Sequence, residues 1–375
     1  LGVLAVSRLQ RHSLPLLVGA PGSNPSVLRR IKTPDLVGGF SLPRECLKLS
    51  ATYNQGMNSI PVLPSRKIAD LEVAQIGLGC MPASWSTDPA KHELGIAAIH
   101  AALDSGITLL DTADIYAPSW NSLGHNERLV AEAVRTWNGA SEAKAKIVIA
   151  TKGGIARRPS EQWGRNGTLD YLLRAVEASA GRLGVDRIDL WQHHRMDPSL
   201  TFEAQFENVL ALREQGIVRR IGLSNVSAEM LRRAIKLGGS PLEGGVVSVQ
   251  NEWSPRYRQW ADVIALCEQS GIAFLPWSPL GGRSFFAELP SKFAVIARIA
   301  ADRGVSPYVV TLAWHLKQSP VIIPIPGASR AESAIDSASA ATFNLSDEEF
   351  AAIQASLPPS APLGDELTPE PPFRD

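Results

Sequence analysis

Four side chains in the first half of the chain could share a proton. Asp111 and Tyr116 stand five residues apart in Asp111-Thr-Ala-Asp-Ile-Tyr116. Lys152 follows Lys146-Ile-Val-Ile-Ala-Thr151, and His194 ends Asp189-Leu-Trp-Gln-His-His194. Each group follows a short apolar run that reads as a strand. Tyrosine has an ordinary pKa of about 10, too high for effective acid–base work at neutral pH. An adjacent ammonium favours the phenolate and lowers that value. A carboxylate would hold the ammonium in place, and an imidazole beside the phenol can donate to, and orient, a carbonyl oxygen. Taken singly, each residue has a plainer reading. Asp111 caps a turn onto which Tyr116 packs, Lys152 is a solvated loop cation, and His194 is a capped loop side chain. What favours a shared site is that the residues recur at the same place in three consecutive units.

Those units belong to a longer alternation that starts near residue 60. Residues 60–75 suit a small hairpin. Strands are predicted at 73–80, 107–110, 146–151, 187–192, 217–223, 246–250, 272–276 and 321–325. Helical patterns fall at 88–105, 126–137, 168–183, 202–215, 227–237, 258–270, 291–303, 307–317, 330–340 and 346–356, with a long polar loop at 153–167. Asp88-Pro89 suits a helix cap and first turn. Continuous β-branched runs such as Ile147-Val-Ile149 suit strands covered on both faces. Eight β/α units over about 300 residues predict an α/β fold, a closed (β/α)8 TIM barrel with a short N-terminal hairpin and a C-terminal helix. An open doubly wound sheet is the other candidate, and it calls for a glycine fingerprint in its first unit. Gly77-Leu-Gly79-Cys80-Met81-Pro82 misses that pattern, because Pro82 stands where a third small residue belongs. It reads as a tight turn.

The chain has 375 residues and a net charge of zero, so nothing points to nucleic acid or an anionic membrane as partner. Cys46, Cys80 and Cys267 lack paired or metal-ligand spacing, which fits free thiols in a reducing, cytoplasmic setting. No apolar run is long enough to span a bilayer. Residues 1–56 carry seven Lys/Arg against two acids, with scattered Pro and Gly and no sustained period. The expectation is an unstructured or non-native leader followed by one domain over 57–375 that ends in a Pro-rich tail. A mis-assigned upstream translation, a processing product and an Arg-rich targeting leader all suit that segment, and the first is favoured.

The motifs together resemble the aldo-keto reductase family. They are Asp111-Thr-Ala-Asp-Ile-Tyr116, Thr151-Lys152, Asp189-Leu-Trp-Gln-His-His194-Arg, Gly222-Leu-Ser-Asn225, Val249-Gln250-Asn-Glu, Trp277-Ser-Pro-Leu-Gly281 and Ile325-Pro-Gly327. The resemblance runs over residues 60–357 with every motif in order. It implies a (β/α)8 barrel that reduces a small-molecule aldehyde or ketone with NADPH and needs no metal. Tyr116 would be the general acid, tuned by Lys152 and Asp111, with His194 placing the carbonyl. His194 is chosen over His193 because Arg195-Met-Asp-Pro198 follows it in the family's manner. Strand alternation then puts Leu190, Gln192 and His194 on one face and His193 on the other.

The resemblance also implies cofactor positions. Ser224, Asn225 and Gln250 would hydrogen-bond the nicotinamide carboxamide, and Trp277 would stack on the ring. Ser278, Leu280 and Gly282 would lie along the pyrophosphate. Gly327, Ser329 and Arg330 would take the adenosine end, where Arg330 could bind a 2′-phosphate. Ser333 and Ser337 stand where the family often has a further Arg and Asn, and Ala117 stands where Gly is common. Trp85, Trp120, Trp163 and Trp253, with Arg157, Arg158 and Arg256, are candidates for the mouth. The short Pro-Leu-Gly-Gly282 loop looks like the pyridoxal reductase branch. An alternative in the same fold is a nucleotide-sensing regulatory subunit with little turnover.

Overall fold

The computed structural model describes residues 60–283 and 285–361. The leader, with Cys46, and most of the Pro-rich tail lie outside the described residues. The sequence-predicted alternation becomes a ring of parallel strands. β1 (Ser65–Ile68) and β2 (Leu71–Ala74) pair antiparallel, turning at Ala69, whose φ is 54°. The ring runs β3 (Leu78–Gly79), β4 (Leu109–Asp111), β5 (Val148–Gly153), β8 (Leu190–His193), β9 (Ile221–Ser224), β10 (Val246–Gln250) and β11 (Ala273–Phe274), each parallel to the next. The long strand expected at 73–80 is therefore divided. Its first residues belong to the hairpin and its last to the barrel.

The eighth strand closes the ring without forming a continuous ladder. In Ile323-Pro324-Ile325-Pro326 every second residue lacks an N–H. The carbonyls of Pro324 and Pro326 instead accept from Gly77 and Gly79, each at 2.9 Å. Ile323 donates to Phe274 on the other side at 2.8 Å. A Cβ at Gly79 would stand 2.9 Å from the Ile325 carbonyl oxygen. That glycine serves the closure, where backbone meets backbone, which explains why the sequence there is not a dinucleotide fingerprint.

The helices fall close to their expected spans. Those longer than four residues are α1 (Pro89–Asp104), α2 (His125–Thr136), α3 (Leu169–Leu183), α4 (Phe202–Glu214), α5 (Ala228–Gly238), α6 (Ala261–Ser270), α7 (Ala294–Arg303), α8 (Pro307–Gln318), α9 (Ala331–Ser339) and α10 (Asp347–Ser356), with single turns at Ser141–Lys144 and Leu289–Lys292. Caps explain several starts. Asp88 accepts from Ala90 N–H with Pro89 next, and Ser346 and Glu349 form a reciprocal capping box. Among the described residues, no helix is long and apolar enough to cross a membrane.

The polar stretch 153–167 is not a plain loop, as the sequence suggests. It forms a second antiparallel hairpin, β6 (Ile155–Arg158) and β7 (Gln162–Arg165). Ser160 and Glu161 turn it with φ of 63° and 59°. Inside the ring, Leu109, Val148, Leu190, Val247, Leu275 and Ile323 pack with Ile68 and Val73 of the first hairpin. That hairpin therefore plugs the amino-terminal end of the barrel. The carboxyl ends of the strands, with their polar residues, are left for the site.

Candidate active site

β4, β5 and β8 are neighbours in the ring, so their last residues meet at one end. Asp111 ends β4, Lys152 is next to last in β5, and His194 follows β8 directly. The Lys152 Nζ donates to Asp111 Oδ1 at 2.6 Å, to the Thr112 carbonyl at 2.8 Å and to Tyr116 Oη at 3.2 Å. The Tyr116 and His194 rings meet edge to face, 5.8 Å between centroids. The four residues singled out by their recurrence are one cluster. Strand alternation holds as well. Leu190 and Gln192 face inward, while His193 lies outward, stacked on Trp191 and in contact with Gln205 of α4 at 3.3 Å.

The electrostatics follow from burial. Lys152 is fully buried. Burial acts to lower its pKa, yet Asp111 and Tyr116 more than offset this, and the ammonium is stabilised above the ordinary lysine value. Tyr116 moves the other way from the sequence-based expectation. Burial pushes the phenol above its ordinary value, Lys152 pulls it down, and Asp111 pushes it up again. The net direction is upward, because removing a phenolate from water outweighs the nearby ammonium. The phenol therefore holds its proton at neutral pH, as an acid must. Burial, then Lys152, keeps His194 well below the usual imidazole range, so it is neutral. Its Nδ1 is buried and has no hydrogen-bond partner among the described residues.

Two amides that the sequence does not assign to this cluster complete it. Gln250 Nε2 donates to Asp111 Oδ2 at 2.8 Å, and Gln192 Nε2 approaches the same oxygen at 3.3 Å. Gln250 thus gives one of its two amide N–H groups to Asp111, a contact beside the carboxamide role implied by the resemblance. Gly222 leaves room for this layer, since a Cβ there would stand 2.3 Å from Ser248 Oγ and 2.9 Å from Gln192. Asn126 and Glu127, legible only as a helix start, are both fully buried. Asn126 accepts from Thr112 Oγ1 at 2.5 Å, donates to the Cys80 carbonyl at 2.8 Å, and its backbone N–H reaches the Tyr116 carbonyl at 3.1 Å. Glu127 accepts from Thr151 at 2.6 Å and Arg182 at 2.5 Å. This network fixes the loop that carries the tyrosine.

The expected cofactor residues ring the same mouth from β9 to α9. Ser224 Oγ donates to the Gln250 carbonyl at 2.7 Å. Asn225 sits in the left-handed region, φ 59°, donating to the His194 carbonyl at 3.2 Å and accepting from Trp277 Nε1 at 3.1 Å. Ser278 is likewise left-handed, φ 49°. Such conformations in non-glycine residues cost about 1–3 kcal/mol and cluster at ligand sites. Trp277 is half-buried on the barrel-interior cluster, and Leu280 packs against the outer cores. Gly282, φ 84°, continues the turn. Gly327 is the ladder partner of Gly79 at the closure, and a Cβ on it would press on Pro82 at 2.7 Å. Gly327, Ser329 and Arg330 are exposed, and Arg330 makes no ion pair among the described residues at the start of α9. Ser337 is buried. These positions fit a dinucleotide: a strained, polar middle, an indole plane and a free cation beyond it.

The aromatic rim divides. Trp85, Trp120 and Trp163 are each more than a third exposed. Arg283 covers Trp85 at 4.2 Å, and Arg157 covers Trp163 at 4.7 Å. Arg157 also donates to the Ala117 carbonyl at 2.9 Å, while Glu161 accepts from Trp120 N–H at 3.1 Å. The second hairpin is thereby tied to the loop after Tyr116. Arg256 lies on Phe285 at 5.0 Å. Trp253 is a correction. It is buried, edge to face with Phe274, in a cluster that includes Val263 and Ile264 of α6.

Most of the chain is similar to known proteins. The model of the aldo/keto reductase family matches residues 75–358. A Schizosaccharomyces pombe protein named as an uncharacterized oxidoreductase is 34% identical over 289 residues, covering 76% of this chain and 87% of that one. A Glycine max protein named probable aldo-keto reductase 1 is 30% identical over 314 residues, covering 76% and 86%. Among solved structures, an aldo-keto reductase from Klebsiella pneumoniae in complex with NADPH aligns with a TM-score of 0.64 and 23% identity, covering 80% of this chain and 98% of that one.

Proposed function

The chain belongs to the aldo/keto reductase family, and from that premise we propose that it reduces an aldehyde or ketone to the alcohol using NADPH. The observation that carries this reading is the Lys152 Nζ shared between Asp111 and Tyr116 Oη at 2.6 and 3.2 Å. When bound, the reduced nicotinamide supplies the hydride. The protein holds the carbonyl in reach and delivers the proton. His194, neutral and aimed at the mouth, orients the carbonyl oxygen. Tyr116 gives its proton to that oxygen as negative charge develops there. Lys152 stabilises the phenolate left behind, and Asp111, gripped by Gln250 and Gln192, keeps Lys152 from turning away. Ser224, Asn225 and Trp277 would hold the nicotinamide end, and Ser278, Leu280 and Gly282 the pyrophosphate. Gly327, Ser329 and Arg330 would hold the adenosine end. A nucleotide-sensing subunit would need only the cradle, and the assembled proton-transfer cluster weighs for an enzyme. The free, buried thiols of Cys80 and Cys267 suit a reducing, cytoplasmic setting.

For the substrate we propose pyridoxal or another aromatic aldehyde. The rim pairs Trp85 with Arg283 and Trp163 with Arg157, planes with cations that suit a flat, polar ring. Initial-rate comparison with NADPH is expected to favour pyridoxal and benzaldehydes over aliphatic aldehydes in kcat/KM. Equal rates would remove the aromatic preference, and no turnover on any aldehyde would remove the enzyme reading.

Arg330 bears the coenzyme choice. Arg330→Ala is expected to weaken NADPH binding tenfold or more with little change for NADH, since losing a charge-assisted contact costs about 1.5–3 kcal/mol. Fluorescence titration with both coenzymes checks this. Equal losses would make the residue structural.

A further inference from the structure

The opposite end of the barrel carries a feature that carbonyl reduction does not use. Around the plug hairpin, the loops that enter the strands form a half-open cavity of about 370 Å³, lined by Arg187, Arg213, Arg219 and Arg220. Asp70, at the hairpin turn, shares the lining. It is held by Arg220 through two contacts of 2.5 Å. Asp189 stands 3.6 Å from Arg219, a loose pair with the arginine side chain half exposed. The side chains of Arg187 and Arg213 make no ion pair or hydrogen bond among the described residues. Neighbouring acids do not reach them. Glu243 is turned onto Ser240 N–H at 2.9 Å, and Asp186 and Glu214 pair with neither arginine. Four guanidiniums thus face one small space against two carboxylates.

The backbone is shaped to seat one of these cations. Gly244 adopts φ 104°, and a Cβ there would stand 2.2 Å from Arg213 Nη1. Only glycine permits this conformation together with the guanidinium against it. Pro241, Leu242 and Val247 supply an apolar wall beside the charges, and Leu242 is 80% exposed at its edge. Guanidinium forks match tetrahedral oxyanions by paired N–H donors. A phosphate monoester carries about −1.5 to −2 charge near pH 7, enough to offset the excess. The volume lies in the usual range of about 300–1,000 Å³ for small-ligand sites.

We propose that this cavity at the amino-terminal end of the barrel is a second binding site, for the phosphate group of a small, free organic phosphate whose body lies on Leu242 and Pro241. Arg187 and Arg213 bind the phosphate, and Arg219 and Arg220 line the entrance.

The test is equilibrium titration of the full chain, saturated with NADP+, with phenyl phosphate. Saturable one-to-one binding is expected. Arg187→Gln should weaken it about threefold and Arg187→Gln/Arg213→Gln at least tenfold, with turnover and melting temperature of both variants unchanged. The single variant changes an exposed side chain, so it reads the site even where the double variant folds poorly. Unchanged affinity in both variants overturns the proposal. So does binding only to vesicles of phosphatidylcholine with phosphatidylinositol 4-phosphate and not to free phenyl phosphate, because the ligand would then be a membrane headgroup.

Discussion

Tyr116→Phe is expected to lower kcat by about 10²–10⁴-fold while nucleotide affinity stays within about twofold. The substitution removes one hydroxyl and keeps the ring that meets His194 edge to face. Only a group whose proton is shared in the transition state raises the chemical rate, so the loss should fall on kcat more than on KM. Lys152 keeps Asp111 and the Thr112 carbonyl as partners at 2.6 and 2.8 Å, so the buried ammonium is not left alone. Ser224, Asn225 and Trp277 are untouched, which is why the coenzyme should bind as before. Turnover and NADPH titration on one sample decide the matter. Near-normal turnover would place the acid elsewhere. Lost nucleotide binding would mean that the ring position also shapes the cradle, against the division of roles proposed here.

Much of this was legible because the barrel imposes its own regularity. Runs such as Ile147-Val-Ile149 announce buried strands, and the residue after each run must stand at the mouth. Asp111, Lys152 and His194 could be found that way, and Tyr116 by its distance from Asp111. What escaped has physical causes. The strand at 155–158 ends in Arg157-Arg158, polar residues that hold the rim, so it lacks the alternation of a half-buried strand. The eighth strand is read at 321–325, but the pattern of its apolar residues does not show that Pro324 and Pro326 reduce its pairing to isolated bridges. Trp253 looks like any mouth tryptophan, since aromatic type alone does not say which face it takes. Gln192 was visible as a polar residue on an inward position and Gln250 as an amide at a strand end, and their partner was visible too. Only the register running from β4 through β5, β8 and β9 to β10 brings both amides to one Asp111 oxygen. The direction of the Tyr116 shift depends on how much water the fold removes, which spacing does not record.

Lys152→Met should also abolish most turnover, by another route, and unlike Tyr116→Phe it should cost stability. Tyr116 would keep its proton but lose the cation that stabilises the developing phenolate, and burial alone already pushes the phenol upward. Removing one member of a buried ion pair costs about 3–5 kcal/mol, because the remaining charge is left uncompensated. Here Asp111 retains Gln250 at 2.8 Å and the weaker Gln192 contact at 3.3 Å, so the lower end of that range is expected. The second substitution Asp111→Asn separates the two effects. In Lys152→Met/Asp111→Asn no charge is stranded, and the amide can still meet Gln250. Denaturant unfolding should show at least half of the lost stability restored, while turnover stays as low as in the single variant. Recovery of both would mean that Lys152 acts only to neutralise Asp111. Recovery of neither would mean that the methionine disturbs the packing around the Thr112 carbonyl, and the pair would then be a feature of the fold before it is one of the chemistry.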